Sequence, residues 1–385
     1  MFKKKLQILM VLLIISMVFI SCAPPAPETK IVEVEVTREV PVEVTSIVEV
    51  EITSTPAPVE EITYAEETAV QNIPLAGKLA DRHAEISGMA WYGDTLILMP
   101  QYPNFYLEEG SEDNGVIFGI AKEDLLAYLN GENLAALEAI EIPFFAPEAY
   151  AIEGFEGFES ITFKEDTAYL TIEVNDMQDG MSAYLIDGEM SPDLSGLTLN
   201  PEVMTQIKSQ SGVDNMSDEA ILLVGESILT FHEANGVAVN KDTVFHVFGT
   251  DLSETMTLPF VNIEYRLTDA TALDEETNAF WMINYFYPGE EVLLPEVDPI
   301  AEKFYEGPTH AASPGVERLL EFSYTDGGGV VLTDTAPIQM QLMADGNLRN
   351  WEGIVRFENG FLLATDKYPT TILGFVPLPE VEKEE

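Results

Sequence analysis

Ten oxygen-bearing side chains stand at the two ends of five similar segments, and oxygen donors in that number point first to the binding of a hard cation. The segments are SGMAWYGDTLILMPQ (87–101), ESITFKEDTAYLTIE (159–173), EAILLVGESILTFHE (219–233), DATALDEETNAFWMIN (269–284) and EGIVRFENGFLLATD (352–366). They open on Ser87, Glu159, Glu219, Asp269 and Glu352, with Thr271 the alternative donor in the fourth, and close on Gln101, Glu173, Glu233, Asn284 and Asp366. Carboxylates about 5 Å apart repel by roughly 3 kcal/mol per pair at an effective dielectric near 20, so such a set must take up protons or a cation. The only cysteine is Cys22, and the four histidines (His83, His232, His246, His310) are scattered. Zinc and iron–sulfur sites are therefore disfavoured, and a wide ring of oxygens suits calcium better than magnesium. Two alternatives stay open at this point. The polar residues cap strands and bond neighbouring units without a metal, or they act directly as acids and bases.

Basic residues are few, and their positions follow a pattern. Arg82 lies three residues before Glu85, Arg266 three before Asp269 and Arg349 three before Glu352, while Lys367 directly follows Asp366. Four cations would then face the acidic end and, beside a metal, could hold phosphate or carboxylate. Equally, each arginine could neutralise the acid of its own unit. His83 and His310 are the histidines to consider for proton transfer, since His232 and His246 fall inside strand-like runs.

Such residues need a scaffold that brings them together. From 62 to about 380 the chain reads as short β-branched and aromatic runs broken by turns such as ENG (358–360) and TDGGG (325–329). Helical periodicity shows only near 122–140, so the expectation is an all-β fold. Each repeated segment gives two strands, and runs such as GVIFGIA (115–121) and TVFHVFG (243–249) supply more, giving a four-stranded antiparallel meander per unit. Such a unit cannot bury both its faces alone, so several packed around a central channel, a β-propeller, is the economical solution. Five blades are expected, with TAVQNIPLAG (68–77) completing the last blade and closing the ring. Six blades are the alternative, and a two-sheet sandwich leaves the repetition unexplained. In a meander the start of strand one and the end of strand two share one end of the sheet, so both sets of oxygens should meet at one mouth. Two long connections, 102–115 and 287–315, should rise there as well, offering Tyr102, Phe105, Tyr106, Tyr305 and His310 as pocket walls or as pins for the loops.

The chain carries 67 acidic and 18 basic residues, a net charge of −49. That excess repels phosphate backbones, so no nucleic acid partner is expected. Residues 1–21 run from Lys3, Lys4 and Lys5 into an apolar block and have the form of a secretory signal, slightly short for a membrane-spanning anchor. Residues 22–61 repeat Val and Glu between prolines; strand pairing is one option, and a self-repelling extended tether is the favoured one. The body then spans 62–380 and ends in an acidic tail, 381–385. A monomer is expected.

Phe19-Ile20-Ser21-Cys22 resembles a bacterial lipobox, which implies lipidation of Cys22, membrane attachment through it and an extracytoplasmic location. The repeated units resemble those of calcium-dependent five-bladed propellers of the apyrase type, which carry one Ser or Glu per blade on the axial strands. Ser87, Glu159, Glu219, Thr271 (or Asp269) and Glu352 echo that order, and EISGMAWYGDTL, WEGIVRF and NAFWMINYF are similar in style. The units are also similar to phytase-like propellers, with their E-G-I and S-G motifs. The resemblance implies calcium on the axis and a phosphorylated or otherwise anionic small ligand. In a phosphoesterase, Arg82, Arg266, Arg349 and Lys367 would bind charge, and Glu233 or Asp366 would activate water, with His83 in proton transfer. A non-catalytic binding propeller and a glycoside hydrolase are the rival readings.

Overall fold

A computed structural model describes residues 63–107, 115–176, 180–325 and 327–379. The chain divides into two units, Met1–Glu60 and Glu61–Glu385, and the described residues all belong to the second. The leader, Cys22, the tether and the acidic tail lie outside the described residues, as do residues 108–114 of the first long connection.

Five antiparallel blades follow one another along the chain. The first three are built from Ile86–Tyr92, Thr95–Pro100, Val116–Ala121 and Ile140–Phe145; Phe155–Lys164, Thr167–Asp176, Gly180–Met190 and Leu197–Lys208; and Asp218–Val224, Ser227–His232, Val244–Gly249 and Glu254–Pro259. The fourth uses Arg266–Ala270, Ala279–Phe286, Val316–Tyr324 and Ile338–Met340, and the fifth Trp351–Phe357, Gly360–Thr365 and Leu373–Pro377. The fifth blade takes its outer strand, Gln71–Ile73, from the start of the body, with Ile73 opposite Leu373. This is the ring closure that the sequence leads one to expect. Each innermost strand packs against the innermost strands of the blades before and after it, the fifth against the first, so the ring is complete.

Burial on both faces explains the near-continuous apolar runs of the second strands. In the first blade Leu96 and Leu98 point to the fifth blade, whereas Ile97 and Met99 point to the second. In the fourth blade Phe280 and Met282 face the third, and Trp281 and Ile283 face the fifth. The core is thus a set of layers between blades, completed by Leu185 and Ile207 packed with Ile228 and Phe248 between the second and third.

One device repeats in all five blades and was not foreseen. The pairing of strands one and two slips by a residue between Ile86 and Gly88, opposite Glu159, between Asp218 and Ala220, between Leu267 and Ala270, and between Trp351 and Gly353. A β-bulge leaves its extra residue outside the ladder and re-aims the side chain. The bulged residues are Ser87, Glu159, Glu219, the Thr268–Asp269 pair and Glu352. A small residue follows each: Gly88, Ser160, Ala220, Ala270 and Gly353. A Cβ on Gly88 would stand 3.0 Å from Ser160 Cα, and one on Gly353 2.8 Å from Met89 Cγ, so close approach of axial strands fixes this position.

Closure gives a direct expectation. Ile73 is buried in the layer between fifth and first blades, and Ile73→Asp should lower stability by about 3 kcal/mol or more, because a carboxylate there has no partner. Leu134→Asp, at a position 69% exposed, should stay within about 0.5 kcal/mol. Urea midpoints of the two variants check this.

Candidate functional site

A cavity of about 400 Å³ opens at the end of the axis where the innermost strands begin. Ser87, Glu159, Glu219 and Glu352 reach it from the bulges of the first, second, third and fifth blades, and Gln101, Glu173 and Asp366 reach it from second-strand ends. Seven of the ten repeated oxygen donors therefore meet at one mouth.

The fourth blade departs from the pattern. Asp269 is buried but does not line the cavity; its carboxylate accepts hydrogen bonds from the backbone N–H of Ile354 and of Ala270, both at 2.8 Å, and from that of Met89. It staples the fourth blade to the fifth and the first. Thr271 Oγ1 accepts from Trp281 N–H at 3.0 Å and belongs to the strand pairing, not to the mouth. Asn284 donates to the carbonyls of Glu264 and Arg266 and accepts from Arg318 Nε, so it props the wall from behind. Neither Asp269 nor Thr271 thus joins the proposed ring of cation ligands.

The mouth instead receives Arg266 from this blade. Its guanidinium donates to Glu233 Oε1 at 2.5 Å and, through Nε at 3.0 Å and the second amino group, to the Glu290 carboxylate. Glu233 is completely buried behind Arg266 and does not line the cavity, so it has no access to a ligand or to water there. Lys367 does line it, with Nζ 3.4 Å from Glu85 Oε2. Arg349 is buried elsewhere: its backbone N–H and Nε donate to the Glu317 carboxylate at 2.8 Å each, beneath Trp351. Arg82 is exposed on a short 3-10 turn outside the cavity wall, and the neighbouring His83 is turned outward with Nδ1 2.8 Å from Asp81. The expectation of four cations facing the mouth is corrected to two, both already engaged with carboxylates. Basic residues are scarce in this chain and buried acids are many, so neutralisation inside the fold takes the arginines first.

Burial sets the protonation of the mouth. It pushes Glu159, Glu219 and Glu352 well above the usual carboxylate range, helped by Glu173 at Glu159 and by Glu233 at the other two. Gln101 Nε2, 3.0 Å from Glu159 Oε1, and Arg266 near Glu352 only partly oppose this. Burial, with Glu233 nearby, raises Glu173 to about 7. Among the buried oxygens without a hydrogen-bond partner are Glu173 Oε1 and Asp366 Oδ1 at the cavity and Glu233 Oε2 behind it. The available donors are hard oxygens, and unpartnered carboxylates short of positive charge fit an oxygen-bound divalent ion such as calcium. Among the described residues, no three acidic or imidazole side chains already close on a single point.

The loops contribute only in part. Tyr102, Tyr287 and Glu290 line the cavity, whereas Phe105 and Tyr106 pack on the layer around Phe118. His310 is buried 3.0 Å from Glu67, and Tyr305 borders a separate open hollow with Tyr64 and Asp298. Sequence reasoning missed Tyr285, Tyr287, Glu290, Asn215, Asn350 and Tyr368, all of which line the mouth. Asn350 and Tyr368 stand two residues from Glu352 and Asp366, a proximity that could have drawn them in; Asn215 and Glu290 carry no such signal.

No protein-family model and no curated protein matches the sequence. Solved structures are similar at the level of the chain trace. A glucose dehydrogenase shares 13% identity at a TM-score of 0.41, covering 81% of this chain and 100% of its own. A putative glycoside hydrolase from Parabacteroides distasonis shares 12% at 0.46, covering 84% and 96%, and a putative glycosidase from Bacteroides thetaiotaomicron 11% at 0.45, covering 85% and 96%. These likenesses carry no information on chemistry.

The raised carboxyls have a signed consequence. Between the unfolded value near 4.5 and the higher folded value the native state holds more protons than the unfolded chain, so stability falls as pH rises through that window. For Glu173 the window closes near pH 7 and amounts to about 3 kcal/mol. In chelator, the urea midpoint should drop between about pH 5 and pH 8, and Glu173→Gln should flatten the slope; a midpoint that rises over this range contradicts the assignment.

Proposed function

We propose that this protein is a lipid-anchored extracytoplasmic propeller, attached to the membrane through Cys22, that holds a calcium ion at its acidic mouth and binds a small oxygen-rich ligand there. The supporting observation is Glu173. Its side chain is 1% exposed, lines the cavity and keeps Oε1 unpartnered, among carboxylates whose nearest cations, Arg266 and Lys367, are already paired. Glu159, Glu219, Glu352 and Glu173 would hold the ion, with Ser87 and Gln101 as neutral donors. The protein is expected to act as a monomer.

Hydrolysis is the second reading, favoured by the same residue. A carboxyl held at about 7 is matched to taking a proton from water at neutral pH, so in this reading Glu159, Glu219 and Glu352 alone hold the ion and Glu173, off the ion, takes the role of Glu233, which does not reach the cavity. Bound calcium would supply charge to polarise an ester oxygen. Arg82 and Arg349 lie outside the mouth, so an anionic phosphoester would depend on Lys367 and the ion. Asp366 remains placed to orient a water.

Calcium at about a hundred times its dissociation constant should stabilise the protein by about 2.7 kcal/mol, seen as a raised thermal midpoint that chelator reverses. Glu159→Gln combined with Glu219→Gln should abolish the shift. No shift in the parent protein at millimolar calcium overturns the metal reading. Calcium-dependent turnover of p-nitrophenyl phosphate or a nucleoside triphosphate, lost in Glu173→Gln, would establish the hydrolase; turnover absent with the shift retained leaves the binding propeller.

A further inference from the structure

The rim of the cavity carries a feature that cation binding does not use. Tyr287 follows the second strand of the fourth blade and Tyr368 the second strand of the fifth; they are 42% and 44% exposed, with ring centroids 6.2 Å apart and planes at 65°. Exposed tyrosines facing each other across a blade boundary offer apolar faces to whatever enters. The wall they share with the cavity is largely polar. Asn350 Nδ2 donates to Asp366 Oδ2 at 3.1 Å, which fixes that carboxylate and leaves Oδ1 buried and unpartnered. Deeper in, Glu173 Oε1 is a second unpartnered acceptor on a side chain 1% exposed.

The occupant must therefore bring hydrogen-bond donors to two acceptors on the wall and apolar C–H to the rim. A small free anion finds no free cation among the described residues of the mouth, since Arg266 and Lys367 are already paired with carboxylates. A long apolar molecule would strip water from Asp366 and Glu173 without replacing it. A pyranose ring satisfies both demands, since its hydroxyls donate along the edge while its C–H face lies against an aromatic ring. The cavity, about 400 Å³, falls within the range of small-ligand sites.

We infer that the mouth binds a neutral pyranoside whose ring packs on Tyr287 and Tyr368 and whose hydroxyls donate to Asp366 and Glu173. The inference rests on the mouth being the ligand site and names the class of ligand; it does not require that calcium be bound.

Saturation-transfer NMR on the full chain tests it, with methyl glycosides of glucose, mannose, galactose and xylose as probes and choline as the competing cation. At about 20 mM at least one glycoside should receive saturation at its ring C–H protons. Tyr287→Ala combined with Tyr368→Ala should weaken that binding roughly tenfold or more while the calcium-induced rise in thermal midpoint persists. Tyr287→Trp, which keeps an aromatic face, should retain binding and serves if the double variant fails to fold. Binding of none of the four glycosides, binding unchanged in the double variant, or tyrosine-dependent binding of choline alone overturns the inference. Glycoside binding without any calcium shift would sink the metal reading and leave this one standing.

Discussion

Buried carboxylates on neighbouring strands repel one another, and a closed ring gives them no way to separate. Glu159 and Glu219 sit on adjacent axial strands, and Glu352 faces the same cavity from the fifth blade. The bulges that aim them inward lie in strands wedged between blades by small residues such as Gly88 and Gly353. Swinging one carboxylate outward would mean undoing a layer of packing. Burial raises the pKa values of these groups and their mutual repulsion adds to it; the unpartnered oxygens and the capture of Arg266 follow from that constraint.

The same constraint divides the acids into those the fold has neutralised and those it has not. Asp269 is satisfied by three backbone N–H groups, Glu317 by Arg349 and by Trp351 Nε1, and Glu233 in part by Arg266. These hold blades together, and removal of one partner of such a pair is costly because a buried charge remains. The acids at the mouth lack equivalent partners. Acids engaged inside the fold and acids at the mouth thus come from the same two repeated positions in different blades, Asp269 matching Glu159, Glu219 and Glu352, and Glu233 matching Glu173 and Asp366.

Much of this architecture is legible in the sequence. Repetition of a strand–turn–strand unit gives the number of blades, and the strand-like stretch before the first unit gives the closing strand. The antiparallel meander correctly brings Ser87, Gln101, Glu159, Glu173, Glu219, Glu352 and Asp366 to one end. What the sequence hides is competition for partners. Nothing in the spacing of Arg349 from Glu352 says that its guanidinium belongs to Glu317, a residue of another blade. Asp269 reads like its counterparts, yet it is turned into the strand interface. Glu290 and Asn215 come from connections between regular elements, where no periodicity marks a direction for the side chain.

Proton release on calcium binding tests the central claim most directly, because it counts the protons that the buried carboxyls hold against repulsion. Titrating the protein with calcium at about pH 6 and about pH 8, in buffers of different ionisation enthalpy, should release at least about one proton per ion bound at the lower pH and fewer at the higher, where Glu173, held at about 7, has already lost most of its proton. Calcium uptake with no proton released at the lower pH would mean that the ion meets carboxylates already ionised, and no uptake at either pH would mean that the mouth is neutralised by protons alone. Either result contradicts the account.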